Sequence, residues 1–282
     1  MKKINADKIV WLILLILSIF LVLFPIYIMF KYSISDRRSW ITGGEYPVPW
    51  WPFKPTLEMY KYYLGDKRFW SNGWLSLKIA LLTVSFSLIL GTPAAYSLAR
   101  FKFNGKAFLL FLILAIRFYP DISSVIPVSY IFNKSFLYNL PNEIKISLAH
   151  CLLSLPYIIF IAQGVFETIP VDLEEQALIL GTSRFYAFLR IVLPIAAPGL
   201  AAGAIYSFLL SWNEFVFSYF ITATSVSSEV PLPVYLKTLL GSFSPNLVSI
   251  STLSLLVSIP VIIFTFIVQK YMIAGMIKGA VK

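Results

Sequence analysis

Three charged side chains stand inside long apolar runs, and they are the first residues with which this chain could do chemistry. Arg117 and Asp121 are the only charges between Lys106 and Lys134, and Glu214 is the only one between Arg190 and Glu229. A charge at hydrocarbon depth is costly unless it is paired or faces a water-filled cavity, so each marks either an internal ion pair or the route of a polar solute. Arg117 and Asp121 are four residues apart and would share a helical face with Ser124, although Pro120 between them is expected to kink the helix and work against their pairing. Glu214 follows Asn213 and belongs to a stripe of Gly203, Ser207, Ser211, Glu214 and Ser218 with the spacing of one helical face. Such a stripe serves helix packing or a hydrated path, and both readings stay open.

Enzyme chemistry finds little support. The chain has one cysteine and one histidine, Cys151 and His150, which excludes an internal disulfide and a protein-only zinc site of the usual kind. Neither Glu214 nor the Arg117/Asp121 pair has partners at the spacing of a nucleophile with its base. His150 lies in an apolar run and reads as a packing residue with no further role. The single Gly-Lys pair, Gly105-Lys106, has Arg100 where a phosphate loop needs its first glycine, so ATP hydrolysis belongs on another chain.

The elements that must position these residues are set by composition. Of 282 residues 59% are hydrophobic and 13% charged, with a mean hydropathy of +0.81, which places the chain among integral membrane proteins. A net charge of +10 then serves topology and anionic headgroups; no basic block with interleaved aromatics points to nucleic acid.

One long segment is both charged and amphipathic, Ile169 to Pro194. Its pattern predicts a helix capped by Asp172, with Glu175 completing a capping box, a turn at Gly181 where φ > 0 is accessible, and a second helix capped by Thr182 or Ser183 and ended by Pro194. Glu175-Gln176-Ala177, Gly181 and Ile191-Val192-Leu193-Pro194 resemble the EAA loop of permease subunits of binding-protein-dependent ABC importers, with Gln176 where the family usually has alanine. Three further segments match that family in order. They are Ala94-Ala95-Tyr96-Ser97-Leu98-Ala99-Arg100 with Gly105, Ser211-Trp212-Asn213-Glu214-Phe215, and the ending Gln269-Lys270-Tyr271 with Gly275 and Gly279-Ala280-Val281-Lys282.

The resemblance, strongest to the smaller permease of maltose-type systems, implies an all-α fold of six transmembrane helices with a helix-turn-helix coupling loop at 169–194. It implies ATPase contact by Asp172, Glu174, Glu175, Gln176, Ala177, Gly181, Ile191, Leu193 and Pro194. It further implies no cofactor in this chain, with ATP-Mg on two partner ATPase subunits, a second related permease, an extracytoplasmic sugar-binding protein and the lipid bilayer as partners, and a sugar as solute. An ion-driven secondary transporter would be expected to carry an internal repeat with paired broken helices, and none is visible.

The spans fall in order. Lys8 to Lys31 encloses an uncharged run long enough to cross about 30 Å of hydrocarbon, too long for a signal peptide and with no cleavage site after it. A polar loop to residue 73 follows, with Trp40, Trp50, Trp51 and Trp70 suited to an interface belt and Pro47, Pro49, Pro52 and Pro55 breaking any helix. The next spans are Ile79–Ala99, with a small-residue face of Thr83, Ser87, Gly91 and Ala94, then Ala107–Phe132, Ile146–Phe166, one from about Pro198, and Val248–Val268. This gives an N-terminal anchor with its loop (1–73), a permease core (74–272) and a tail (273–282). Both termini lie with the coupling loop, a side on which basic residues are denser though not more numerous; a cell-membrane protein with cytoplasmic termini is the expectation.

Overall fold

A backbone amide in hydrocarbon has no water to bond, so uncharged runs of this length fold as helices, whose hydrogen bonds close within the segment. The computed structural model describes residues 6–36, 55–134, 136–223, 229–240 and 246–280, and every regular element among them is helical. In chain order these are α1 (Ala6–Ser33), α2 (Glu58–Gly65), α3 (Lys67–Arg100), α4 (Lys106–Ala115), α5 (Asp121–Lys134), α6 (Asn142–Glu167), α7 (Asp172–Ile179), α8 (Arg184–Ala187), α9 (Leu193–Asn213), α10 (Val216–Thr222), α11 (Leu232–Leu240) and α12 (Leu247–Ala280). Among the described residues five helical stretches are long and apolar enough to cross a membrane, and α4 with α5 makes a sixth if that bent pair is one span.

Packing divides the chain into two units. The first comprises Met1–Trp70 and Tyr235–Ile259. Its joints are hydroxyl bonds: Thr252 donates to the Ser33 carbonyl at 3.1 Å and Ser33 meets the Tyr60 hydroxyl at 2.8 Å. Side chains of α1 from Ile9 to Leu23 are exposed, a surface that lipid accepts and water does not. Trp40, Trp50 and Trp51, with Pro47, Pro49 and Pro52, lie outside the described residues.

The second unit, Ser71–Val234 with Pro260–Lys282, holds the candidate sites. Here α6 passes through two apolar clusters. Ile159, Ala162 and Phe166 join Tyr96, Phe188 and Val192 in one; Ile146, Ala149 and Leu153 join Ile79, Val125 and Phe217 in the other. The small-residue face of α3 allows the close approach expected of it. Ser87 meets Ser154 at 2.5 Å, and a Cβ on Gly91 would come within 2.7 Å of Ile158 Cγ2. Likewise α9 seats on α6 through Gly199, whose Cβ would meet Val165 Cγ2 at 2.6 Å, and Gly203, whose Cβ would meet Ile158 Cδ1 at 3.1 Å.

Four boundaries differ from the sequence expectation. The third span is broken and not merely kinked: a 3₁₀ turn at Ile116–Phe118 precedes Pro120, and the two halves meet at 94°. The ring of Pro120 pushes Tyr119 into an extended conformation (ψ 128°), which no helix continues. Pro194 does not end the loop's second helix. A π turn at Phe188–Val192 shifts the bonding pattern just ahead of it, so its missing N–H falls where the ladder is already displaced, and helix runs from Arg184 to Asn213. The stripe that was expected to continue through Ser218 is cut at Glu214, which is extended (ψ 125°) and starts α10 afresh. Finally, α12 is helical to Ala280, past the predicted end near Val268.

Candidate functional site

The loop between α6 and α9 forms two short helices around one glycine. Asp172 is the first residue of α7 and not its cap; Val171 holds the cap position without a side-chain bond, so the predicted capping box does not form. Asp172, Glu174 and Glu175 instead crowd the first turn, where the helix dipole favours negative charge. The helix ends in a Schellman closure: Gly181 N–H donates to the Leu178 carbonyl (3.0 Å) and Thr182 N–H to the Ala177 carbonyl (3.2 Å), with Gly181 at φ +85°. Ser183 caps α8 by accepting from Tyr186 N–H at 3.2 Å.

Within this loop Glu174 behaves unlike its neighbours. It is 3% exposed, while Asp172, Glu175 and Gln176 are exposed. Its carboxylate accepts from the Tyr96 hydroxyl (2.6 Å) and the Arg100 guanidinium (2.5 Å), and Arg100 also donates to the Ile169 carbonyl (3.0 Å). The end of α3 thus grips the start of the loop, and the Tyr96 ring packs edge-on against Phe166 and at a tilt against Phe188, from the loop's two arms. Besides the polar Asp172, Glu175 and Gln176, three large apolar side chains face outward: Ile179 is 84% exposed, Leu180 83% and Phe185 71%. Ala177 is buried, Ile191 and Leu193 are half-buried, and Pro194 is exposed.

The break in the third span brings Arg117 and Asp121 together instead of parting them. Arg117 Nη1 lies 3.2 Å from Asp121 Oδ1, and its guanidinium sits 5.4 Å over the Tyr157 ring. Irregular backbone at membrane depth requires burial or a cavity, and here a cavity of about 680 Å³ adjoins the break, lined by Arg117, Tyr119, Asp121, Ser124 and, from α10, Phe217. Most of its remaining wall is aliphatic.

The stripe on α9 faces inward. Ser207, Ser211 and Ser218 are buried, Asn213 is exposed, and the Glu214 side chain is 10% exposed. Ser211, Glu214 and Ser218 share one partner, His150 on α6, which sequence reasoning left as packing. His150 Nε2 is 2.8 Å from Glu214 Oε2, and Nδ1 is 2.8 Å from Ser211 Oγ. Ser211 donates to Thr83 on α3, which donates to the Ile79 carbonyl. Glu214 also accepts from Phe217 N–H (2.8 Å) and Ser218 N–H (3.1 Å), so one carboxylate caps α10 and meets the imidazole. A signal existed: one imidazole and one carboxylate, each alone in an apolar span, are each other's natural partner. Ser207 Oγ has no hydrogen-bond partner among the described residues, and no three His, Cys, Asp or Glu residues there converge as a metal site.

Residues 87–278 match the model of a family described as the inner membrane component of binding-protein-dependent transport systems. The chain is 34% identical to the trehalose transport system permease protein SugB of Mycobacterium tuberculosis, over 73% of this chain and 75% of that one. It is 30% identical to the sulfoquinovosyl glycerol transport system permease protein SmoH of Agrobacterium fabrum, over 92% and 89%. It is 28% identical to the trehalose/maltose transport system permease protein MalG of Thermococcus litoralis, over 100% and 99%. In fold it is similar to a chain of a bacterial ABC transporter involved in the import of the acidic polysaccharide alginate. The TM-score is 0.77 at 23% identity, covering 96% of this chain and 99% of that one.

Proposed function

This chain belongs to the family of inner membrane components of binding-protein-dependent transport systems, and from that membership we propose that it carries a carbohydrate inward, driven by ATPase subunits docked on its α7–α8 loop. It is a multi-pass membrane protein and a transport subunit, not an enzyme, in a family that works with an ATPase and a substrate-binding protein. The finer reading is a complex with two ATPases and a second, related permease, with this chain's loop and termini in the cytoplasm and ATP-Mg bound on the ATPases. The carbohydrate reading draws on the glycosides named for its relatives. Arg117 and Asp121, beside their cavity, are assigned to the solute route. Ser207, Ser211, Glu214 and Ser218 are assigned to holding the helices around that route, with Asn213 at its edge.

The observation that carries the coupling reading is the loop itself, with Ile179 and Leu180 exposed beside its turn on a base that Glu174 ties to α3. Apolar side chains this exposed, on an element rigidly held, suit a protein partner. Replacing both Ile179→Asp and Leu180→Asp should strip the ATPases from the purified complex and abolish uptake of labelled trehalose, leaving membrane insertion intact. A cysteine at Asn104 should react with an impermeant thiol reagent only after the cells are opened. Retained ATPase with wild-type uptake in the double variant, or labelling of Asn104→Cys in intact cells, would overturn the coupling and orientation readings respectively.

A further inference from the structure

His150 is fully enclosed, uses both ring nitrogens, and is the point where four helices meet. Through Ser211 it reaches α9 and then Thr83 on α3; through Glu214 it reaches the joint at which α9 gives way to α10. Nε2 faces the carboxylate and donates to it, and Thr83 donates to the Ile79 carbonyl, with the Ser211 hydroxyl between Nδ1 and Thr83. If Nδ1 also carries a proton it donates to Ser211; if not, the Ser211 hydroxyl turns to donate to Nδ1, and no buried donor is stranded in either arrangement.

The joint matters because α10 is only seven residues long and its first turn is held by the same carboxylate. Phe217, whose N–H bonds to Glu214, forms part of the wall of the cavity that holds Arg117 and Asp121. The two arms of the α7–α8 loop are α6, which carries His150, and α9, which carries Ser211. A displacement of the loop therefore enters α6 and α9, and the imidazole on α6 meets hydroxyls of both α9, at Ser211, and α10, at Ser218.

We propose that His150 is a positioning residue for transport: by holding Glu214 it makes α10 and Phe217 move with α6, so that loop motion reshapes the Arg117–Asp121 cavity. It rests on the chain being a permease driven through that loop, and not on which solute passes. Imidazole suits this duty because its two nitrogens point to opposite edges; glutamine can reproduce the donor toward Glu214, and alanine neither contact.

The test uses the full ATPase-bearing complex in proteoliposomes, with Ser124→Cys as a reporter in the cavity wall and Cys151→Ala as background. In wild type, maleimide labelling of Ser124→Cys should differ between resting and vanadate-trapped complexes. In His150→Ala that difference should vanish and trehalose taken up per ATP hydrolysed should fall by about tenfold, with the ATPase still bound. His150→Gln should keep uptake within about threefold of wild type. An assembled His150→Ala complex with wild-type uptake per ATP and state-dependent labelling overturns the proposal. If His150→Ala does not assemble, Glu214→Gln decides, since it keeps the side-chain shape but loses one acceptor; unchanged labelling differences there overturn it too. A wild-type complex that takes up no trehalose counts only against trehalose as the solute, because the labelling needs no solute and still decides the proposal.

Discussion

Two carboxylates are buried in the second unit, and they are held in different ways. Glu174, in the loop, is matched by a permanent cation from Arg100 and one phenolic hydroxyl, all side chains reaching from the end of α3. Glu214, just past the end of the α9 span, is matched by an imidazole and by two peptide N–H groups of the helix that it starts. The first arrangement concentrates the compensation in one residue; the second spreads it over an imidazole and two backbone N–H groups that only proline could remove. A clamp of the first kind is strong and brittle, whereas the second survives partial loss and can take part in motion.

The largest effect is therefore expected at Arg100. Arg100→Met leaves the Glu174 carboxylate buried with only Tyr96 to bond, a loss of roughly 3–5 kcal/mol typical of a broken buried pair. The loop should detach from α3, seen as protease cleavage near Ile169 and loss of the ATPase. Arg100→Met combined with Glu174→Met should recover much of that loss, and protease resistance no better than in the single variant would count against a concentrated clamp. An intermediate effect is expected at Ser211, which is buried between His150 and Thr83. Ser211→Leu overpacks that seam at a cost of about 1–3 kcal/mol, and should lower the melting temperature of the complex. A stable Ser211→Leu complex impaired only in uptake would mean that the seam is a hydrated path and not a packing face. The smallest effect is expected for Tyr96→Phe, which removes one hydroxyl from Glu174 while Arg100 remains, at about 0.5–1.5 kcal/mol. A loss as large as that of Arg100→Met would show that the clamp is shared between the two.

The same contrast separates what could be read in the sequence from what could not. Gly181 was legible because a glycine between two amphipathic segments has few other uses, and the Schellman closure follows from it. The break beside Pro120 was half legible: proline announces a disruption, but the 94° corner depends on the 3₁₀ turn before it. The break at Glu214 was hidden, because no residue type there forbids helix. It arises when a carboxylate captures Phe217 and Ser218 N–H, a competition settled by an imidazole 64 positions away, at His150. Glu174 was named among the loop's docking residues, yet its partner Arg100 is 74 residues upstream and only folding shows that it faces inward. The capping box failed by one residue, since α7 begins at Asp172 itself and leaves its side chain no cap position to fill.

One aliphatic side chain, Ile158, links positions that lie far apart in the sequence. Ile158 presents Cγ2 to Gly91 on α3 and Cδ1 to Gly203 on α9, so its two branches set the clearance on both sides of α6. A methyl group gained at Gly91 would meet Cγ2 at 2.7 Å and force a shift there, whereas one gained at Gly203 would meet Cδ1 at 3.1 Å and ask less of it. Shortening Ile158 to valine removes Cδ1 and leaves Cγ2, so it opens room at residue 203 and not at residue 91.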